Sequence, residues 1–538
     1  MSWMQRLYET YNACSAKNAS ERDPALLPIC HTTQLAQIEI VLGAEGEFRR
    51  ARVLTDSTEA KTMIPCTEES SGRAGSKPTN HPLCDKLQYV AGDFLEFGGE
   101  VTSGYAPSPT EPHARYLVAL QNWANSKFSN GKVRAILRYV ALGTVVRDLS
   151  QAGVLSVDDK GKLLKDWTGE KLDTPAIFKV LSGEQSQEDA FIRWRVEDPA
   201  VVSSGTWDDA ALVESWISFY RGNQDKKGFC MVAGEVTELA IQHPSKLRNS
   251  GDKAKLISSN DTSGFTFRGK FFEADEAAGV GFEATQKAHN ALRWLIGRQG
   301  YRSGSQAFVA WAIGGQSVPN PLLNTLELFG LDAEADQSEP MPLDVAQEFS
   351  IRLAKTLAGY RQKIEFSDSI VVMGLDSATP GRMGITYYRE FRGFEFFERV
   401  EQWHSRHAWL QHFGKDARFY GAPSPRDIAE GAYGKNADDK LKRSTVERLI
   451  PSILDGRQIP YDLVVSVCRR ASQGANLDWW DWEKALGIAC AIFRGHHSER
   501  KYKMSLEQDR VSRDYLYGRL LAIADSMESY ALKSNGEK

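Results

Sequence analysis

The chain has 538 residues, of which 42% are hydrophobic and 25% are charged, and its formal net charge is -4. These shares are near the globular average, which argues against long disordered tracts, and the length favours two or three domains. Free-standing nucleic-acid-binding proteins are usually basic, so any such contact must come from local basic patches or from basic partners. The longest apolar run, near residues 485–493, is too short to cross a membrane, and we expect a cytoplasmic protein without a membrane partner.

No metal, cofactor or catalytic signature is evident in the sequence. None of the seven cysteines lies within three residues of another, which argues against a zinc ribbon or a redox pair. The fragment GRAGSKPT, residues 72–79, lacks the spacing of a phosphate-binding loop. His81, Cys84 and Asp85 fit either a Cys-His nucleophile or metal half-site, or a loop histidine before a helix with a buried cysteine. We favour the second interpretation and predict no cofactor.

The first part of the chain is predicted to mix helices and strands. Helical spacing covers residues 3–11, where Ser2 is a candidate cap, and residues 113–123, 132–149 and 208–220. A hairpin is predicted for residues 37–42 and 48–54, and further strands for residues 161–167 and 191–196.

Residues 55–82 form a polar stretch that glycine and proline interrupt. Such a segment is typical of an exposed loop, and it carries Arg73, Lys77 and Asn80 as hydrogen-bond donors. These three donors could come close to an anionic partner.

The central part is predicted to contain strands at residues 229–236, 307–313, 370–375 and 384–388, with helices at 284–295 and 343–360. The loop at residues 243–270 is too long to be a bare connection, and loops of this kind are usually functional or disordered. It contains the donors Asn260, Arg268 and Lys270 and the aromatic residues Phe265 and Phe267.

After Phe391 we predict no strand, and apolar spacing predicts helices at residues 446–454, 460–471, 480–493 and 506–532. The expected fold class is α+β, with a mixed α/β N-terminal and central region carrying short sheets and an all-α C-terminal helical bundle. The predicted regions are residues 1–228, 229–410 and 411–538.

The C-terminal part is mildly basic. Residues 415–538 carry 21 Lys and Arg against 18 Asp and Glu, a formal charge of +3 that leaves -7 for the rest. Such clusters are either a solvated helix face or contacts to a nucleic-acid backbone. The candidate backbone contacts are Lys440, Lys442, Arg443, Arg469, Arg470, Arg494 and Lys501.

Several separated motifs resemble a known family. They are Ala233-Gly234-Glu235, His243-Pro244, AKLIS at residues 254–258 with Asn260, and Ala310-Trp311-Ala312, together with residues 81–90, 375–390, 420–429 and 448–472. The chain resembles the large subunit of the type I-C CRISPR surveillance complex, Cascade, of the CRISPR-associated protein 8c family.

The resemblance implies a non-catalytic subunit of an RNA-guided complex, which reads the protospacer-adjacent motif in duplex DNA, promotes duplex opening and recruits a separate helicase-nuclease. The implied partners are the CRISPR RNA-bound backbone and processing subunits, small helical subunits related to the C-terminal bundle, the target duplex and its displaced strand. In such complexes base pairing by the guide supplies most of the sequence specificity, so a few protein contacts suffice. For the role that the resemblance implies, the candidates for reading base edges are Arg73, Lys77, Asn80, Asn260, Arg268 and Lys270, and Phe265 or Phe267 could act as a wedge between base pairs. The alternatives are a nuclease or hydrolase with an unrecognised active site, and a purely structural scaffold.

Overall fold

The computed structural model describes residues 2–15, 26–73, 75–224, 226–249, 251–258, 271, 274–330, 345–365, 368–379, 381–413, 418–474, 477–503 and 505–534. The chain divides into two compact units, of which the first is Met1–Asn320 with Lys363–Gly393 and the second is Pro321–Gln362 with Phe394–Lys538. No helix in the described part of the chain is long and apolar enough to span a membrane.

The first unit mixes helices with short sheets. Its described helices are α1 (Trp3–Ser15), α2 (Ser57–Ala60), α3 (Glu68–Gly72), α4 (Leu87–Val90), α5 (Glu111–Ala124), α6 (Gly131–Val140), α7 (Val145–Gln151), α8 (Ala176–Val180), α9 (Ala210–Gly222), α10 (Ala274–Ala278) and α11 (Phe282–Gln299). Its described strands are β1 (His31–Leu35), β2 (Ile38–Gly43), β3 (Phe48–Val53), β4 (Lys61–Pro65), β5 (Ile192–Glu197), β6 (Lys227–Phe229), β7 (Val236–Glu238), β8 (Tyr301–Ser303), β9 (Gln306–Ala312), β10 (Ser369–Thr379) and β11 (Arg382–Arg392).

Two sheets organise this unit. In the three-stranded sheet β3-β2-β5, the fully buried β2 pairs antiparallel with β3 and parallel with β5. The four-stranded sheet β11-β10-β9-β8 is antiparallel throughout. Helix α11 packs on β9 and on α1, and its residues Ala288, Leu292 and Leu295 share a core with Trp311 and Met373. The smaller pairs are β1-β4 and β6-β7.

The second unit is mostly helical. Its described elements are α12 (Thr325–Leu328), α13 (Val345–Arg361), α14 (Glu395–Arg406), β12 (Trp409–His412), β13 (Arg418–Gly421), α15 (Pro425–Tyr433), α16 (Asp439–Leu454), α17 (Tyr461–Ala471), α18 (Trp479–His496) and α19 (Arg513–Ser534). Helix α18 packs on both α17 and β12. The Nε2 of Gln411 in β12 donates to the carbonyl oxygen of Gly487 in α18 at 3.2 Å.

The α+β fold class is confirmed, with short sheets in the N-terminal and central region and a helical C-terminal region. Strand β9 and helix α11 match their predictions closely, and the hairpin of β2 and β3 is also confirmed. The chain divides into two compact units by its contacts, and the division into regions 1–228, 229–410 and 411–538 stays a prediction.

Six local predictions were wrong. Residues 55–82 are not an exposed loop, because α2, β4 and α3 lie within them. Residues 132–149 are not one helix, because the chain turns at Gly143, with φ of 67°, between α6 and α7.

Residues 229–236 are not one strand, because the chain turns at Gly234, with φ of 77°, and forms the hairpin of β6 and β7. Residues 161–167 form only an isolated bridge, Val157 to Leu163. The C-terminal region is not all helical, since β12 and β13 pair after Phe391. The last helix begins at Arg513 rather than near residue 506.

Candidate nucleic-acid interface

The first predicted DNA-reading loop begins where α3 ends. Thr67 and Ser70 form a capping box at the start of α3, in which each side chain accepts a hydrogen bond from the other's backbone N–H. The helix stops at Arg73, whose φ of 30° is left-handed. Left-handed backbone in a non-glycine residue costs about 1 to 2 kcal/mol, so contacts of the Arg73 side chain must hold this turn.

Those contacts centre on a buried carboxylate. The guanidinium of Arg73 donates to Asp85 and lies 5.1 Å from the ring centroid of Tyr89. Asp85 is fully buried and also accepts from the backbone N–H groups of His81 and Lys86, each at 2.6 Å. Burial raises the pKa of Asp85, and the Arg73 charge opposes that rise. Arg73 is therefore engaged within the protein, and its side chain is only 17% exposed.

Lys77 and Asn80, the other two residues of this loop that were predicted to contact base edges, differ in their exposure. The side chain of Lys77 is 44% exposed, and its Nζ lies 3.0 Å from the Glu111 carboxylate in a surface ion pair. Asn80 is buried and donates from Nδ2 to the carbonyl oxygen of His81 at 3.1 Å. Between them, the Pro78 carbonyl oxygen accepts from the hydroxyl groups of Tyr89 at 2.7 Å and Tyr105 at 2.9 Å. The loop is thus fixed to the core on one side and presents Lys77 on the other.

A second loop, residues 241–248, contains the His243-Pro244 motif. The Glu68 carboxylate of α3 accepts from the backbone N–H groups of Ile241 at 3.3 Å and Gln242 at 3.4 Å. The Nδ1 of His243 lies 2.9 Å from Thr285 Oγ1 on α11, and burial lowers the pKa of His243 to about 3. The motif therefore holds the loop between α3 and α11.

The AKLIS motif lies beside the same loop. Lys255 donates from Nζ to Gln242 Oε1 at 3.2 Å, and its backbone N–H donates to the Gly381 carbonyl oxygen at 3.2 Å. The pKa of Lys255 is lowered by burial, and the Glu68 carboxylate opposes this shift. Two motifs that carry the family resemblance thus meet around Glu68.

The two loops also bring together a basic cluster, Arg73, Lys246 and Arg293, that the sequence analysis did not assemble. The Ser245 Oγ lies 3.9 Å from the position that a Cβ at Gly72, the last residue of α3, would occupy, so the second loop lies beside the end of this helix. Arg293 on α11 donates from Nη2 to the Ser245 carbonyl oxygen at 2.8 Å and from Nε to that of Lys246 at 3.0 Å.

This basic cluster is electrostatically unbalanced. Burial, the nearby Arg293 charge and the Arg73 charge all lower the pKa of Lys246, and burial lowers the pKa of Arg293. No carboxylate in the described part of the chain forms an ion pair with Lys246 or Arg293. The cluster therefore contains three cations and one carboxylate, that of Asp85, which is paired with Arg73. A bound phosphate would relieve this repulsion, because a nearby anion favours the charged form of each group.

The residues considered for catalysis are buried in this region. The Cys84 thiol lies 4.0 Å from Thr206 Oγ1, and burial raises its pKa to about 12. The pKa of His81 is well below its ordinary value because of burial and the Arg73 and Lys246 charges. Among the described residues, no group of three or more His, Cys, Asp or Glu side chains is arranged to hold a metal ion.

The structure also places the predicted backbone contacts of the second unit. Lys440 is exposed, whereas Lys442 and Arg443 are half-buried on the first turns of α16. The Lys442 Nζ donates to the Lys435 carbonyl oxygen at 2.6 Å, and the Arg470 guanidinium lies 3.2 Å from where a Cβ at Gly434 would be. Lys442 and Arg470 therefore both lie beside the residues that follow α15.

The remaining predicted contacts lie elsewhere. Arg469 is exposed in the last turn of α17, and Arg494 and Lys501 line one cavity near the end of α18. The predicted residues Asn260, Phe265, Phe267, Arg268 and Lys270 lie outside the described residues.

Comparison with known proteins identifies the family. No curated protein matches the chain. The family model described as CRISPR-associated protein (Cas_Csd1) matches residues 7–538, almost the whole chain. The chain therefore belongs to the Cas_Csd1 family of CRISPR-associated proteins.

Proposed function

We propose that this chain is the DNA-sensing large subunit of a type I-C RNA-guided CRISPR effector complex. In this proposal it catalyses no bond-breaking chemistry, reads a short motif in duplex DNA, helps to open the duplex and recruits a separate helicase-nuclease. Its partners are the guide-RNA-bound subunits, small helical subunits, target duplex DNA and the displaced strand. Membership in a CRISPR-associated family supports a role in defence within such a complex.

The observation that carries the proposal is the basic cluster of Arg73, Lys246 and Arg293, which forms where the loop at residues 241–248 lies beside the end of α3. In this cluster three cations accompany one carboxylate, that of Asp85, and Lys77 is exposed four residues after Arg73. Phosphate contacts position a protein on DNA, whereas base-edge contacts supply specificity. We assign the first role to Lys246 and Arg293, and the second to Lys77.

The test uses the assembled complex and a duplex library randomised beside the guide-matched sequence. The unmodified complex should enrich one short motif from this library. Lys77→Ala should weaken that preference by about 1 to 3 kcal/mol at the position it reads. Lys246→Ala should instead weaken binding to all duplexes alike and lower the salt slope by about one unit.

Lys160→Ala is the matched control, because Lys160 is an exposed lysine of the same unit in a turn where its backbone N–H donates to Asp158 Oδ1. Lys160→Ala should change neither the motif preference nor the salt slope of duplex binding. If Lys77→Ala weakens all duplexes equally, the loop at residues 73–80 is a general phosphate contact, and the loop around Asn260 to Lys270 becomes the next candidate. If the complex shows no motif preference through this subunit, the scaffold alternative is correct.

A further inference from the structure

Two buried hydrogen-bond donors at the basic cluster have no acceptor in the described part of the chain. They are the Nε of Arg73 and the Nε2 of His81. The two residues lie side by side, because the Arg73 guanidinium and the His81 backbone N–H both donate to Asp85 Oδ2. A buried donor without an acceptor is costly, so both groups favour an acceptor from outside the chain.

The hydrogen bonds of Ser70 assign the ring hydrogen of His81 to Nε2. Ser70 Oγ accepts from the Thr67 backbone N–H at 2.9 Å and lies 3.0 Å from His81 Nδ1. The hydroxyl hydrogen of Ser70 is then directed at Nδ1, and the hydrogen of a neutral ring lies on Nε2. The ring is neutral, because burial and the Arg73 and Lys246 charges hold the pKa of His81 well below its ordinary value. His81 Nε2 is therefore a donor close to two cations.

The other two cations of the basic cluster are held by backbone groups that do not neutralise them. Arg293 donates to the carbonyl oxygens of Ser245 and Lys246, which fixes the guanidinium and leaves its charge in place. Lys246 is half-buried, so the cluster reaches solvent on the side of the loop at residues 241–248.

The charge of the basic cluster indicates the kind of acceptor that suits it. Three cations with the single carboxylate of Asp85 give a formal charge of +2. Water can accept the hydrogen bonds but cannot offset this charge, and a halide offers one charge and no separate oxygens. A tetrahedral oxyanion such as hydrogen phosphate carries up to two charges and several acceptor oxygens, which arginine and lysine bind well.

We propose that the basic cluster and His81 Nε2 form a binding site for one phosphate group, which inorganic phosphate occupies in the DNA-free chain. The bound anion connects the end of α3 to the loop at residues 241–248. A DNA backbone phosphate has the same chemistry, and the proposed function places that group against Lys246 and Arg293. The inference deepens the proposed function and rests on it for this second source only, because binding of free phosphate requires no DNA.

The experiment is calorimetric titration of the phosphate-free full chain with sodium phosphate at pH 7, with ionic strength held constant by sodium chloride. The unmodified chain should bind one phosphate. Lys246→Gln should weaken this binding by about ten-fold or more, because a charged hydrogen bond is lost. Lys246→Arg keeps the charge and should restore most of the affinity. Lys287→Gln on α11 is the matched control, because Glu283 already pairs with Lys287 at 2.6 Å, and it should leave the affinity unchanged.

Thermal unfolding separates anion binding from a packing role of Lys246. Without phosphate, Lys246→Gln should unfold at or above the midpoint of the unmodified chain, because it removes a charge that lies near two arginines. With phosphate in excess, the midpoint of the unmodified chain should rise by about 2 °C or more and the order should reverse. A lower midpoint of the variant by the same amount in both buffers would contradict the proposal.

A competition experiment distinguishes the two sources of the phosphate group. In the assembled complex, phosphate should weaken duplex binding more than sodium chloride of equal ionic strength does. Binding of free phosphate without this competition would support the anion site and would exclude Lys246 and Arg293 as duplex contacts. If the chain binds no phosphate, or if Lys246→Gln binds it as tightly as the unmodified chain, the proposal is wrong even where the variant loses duplex affinity.

Discussion

Glu68 and Ile241, which are 173 residues apart, are joined by a hydrogen bond of 3.3 Å from the Ile241 backbone N–H to the Glu68 carboxylate. This bond, with its neighbour from Gln242, connects the helix before one candidate DNA loop to the start of the other. Glu68 is itself buried, and burial raises its pKa to about 7. Both loops therefore depend on one carboxyl group whose charge changes near neutral pH.

The first prediction concerns this titration. Because the folded-state pKa of Glu68 lies above its ordinary value of 4.5, the folded chain retains a proton that the unfolded chain releases. The contribution of Glu68 to the free energy of unfolding is therefore complete below about pH 4.5 and falls until about pH 7, by at most about 3 kcal/mol. Glu68→Gln should remove this fall, so the variant should gain stability relative to the unmodified protein as pH rises.

Denaturant unfolding of both proteins at several pH values checks the prediction, with the difference between them as the readout. Gln can still accept one of the two backbone hydrogen bonds, so the loop should stay in place. A constant difference between pH 4.5 and pH 8 would mean that Glu68 keeps an ordinary pKa in the folded chain.

The second prediction concerns Gly104, which allows the loop at residues 73–80 to lie close to the core. A Cβ at Gly104 would collide with the carbonyl group of Ser76. Gly104→Ala should therefore displace this loop, lower the free energy of unfolding by about 1 to 3 kcal/mol and weaken motif preference in the assembled complex.

Gly359→Ala is the control, because a Cβ there meets nothing within 4 Å and the position lies inside α13. That change should be neutral or should stabilise the helix by up to about 1 kcal/mol. Equal unfolding midpoints for the two variants would show that the loop adjusts without cost.

The sequence predicts the elements best where the hydrophobic period is long or the strand is buried. Helix α11 has 18 residues, and all seven residues of β9 are buried, so both patterns stand out from their surroundings. Strands β12 and β13 have four residues each, too few for alternation to be distinguished from loop composition. The motifs Ala233-Gly234-Glu235 and His243-Pro244 carry the family resemblance. They did not predict that residues 230–235 form the turn of the hairpin between β6 and β7.

The candidate sites were harder to predict than the elements, because they combine residues distant in sequence. Lys246 and Arg293 join Arg73 only once α11 packs beside the two loops, and no local pattern signals that meeting. Arg73 looked like a free donor, whereas Asp85, twelve residues later, binds its guanidinium. Arg406 lies at the end of α14, far in sequence from Arg494 and Lys501, although all three line the same cavity near the end of α18.

The third prediction is that the isolated protein does not cleave nucleic acid. Purified chain incubated with Mg²⁺ or Mn²⁺ and end-labelled duplex or single-stranded DNA should leave both intact. The Cys84 thiol is protonated at neutral pH and the His81 imidazole is too weak a base to activate a nucleophile, since burial shifts both pKa values in the unfavourable direction. Metal-dependent cleavage that one carboxylate or histidine substitution abolishes would instead support the nuclease alternative.

The last prediction concerns the start of α16, where Lys440, Lys442 and Arg443 lie together. If these residues hold the displaced strand, changing all three to Ala releases fewer counterions on binding and weakens all sequences alike. The salt slope of R-loop stability in the assembled complex should fall by about 0.7 to 0.9 for each phosphate that the variant leaves without a cation, with motif preference unchanged. The control is the double Ala variant of Arg513 and Lys533, which has a similar charge change at exposed positions. An unchanged slope in the triple variant would mean that the start of α16 is a solvated face, and Arg469 with Arg470 would then be the next pair to test.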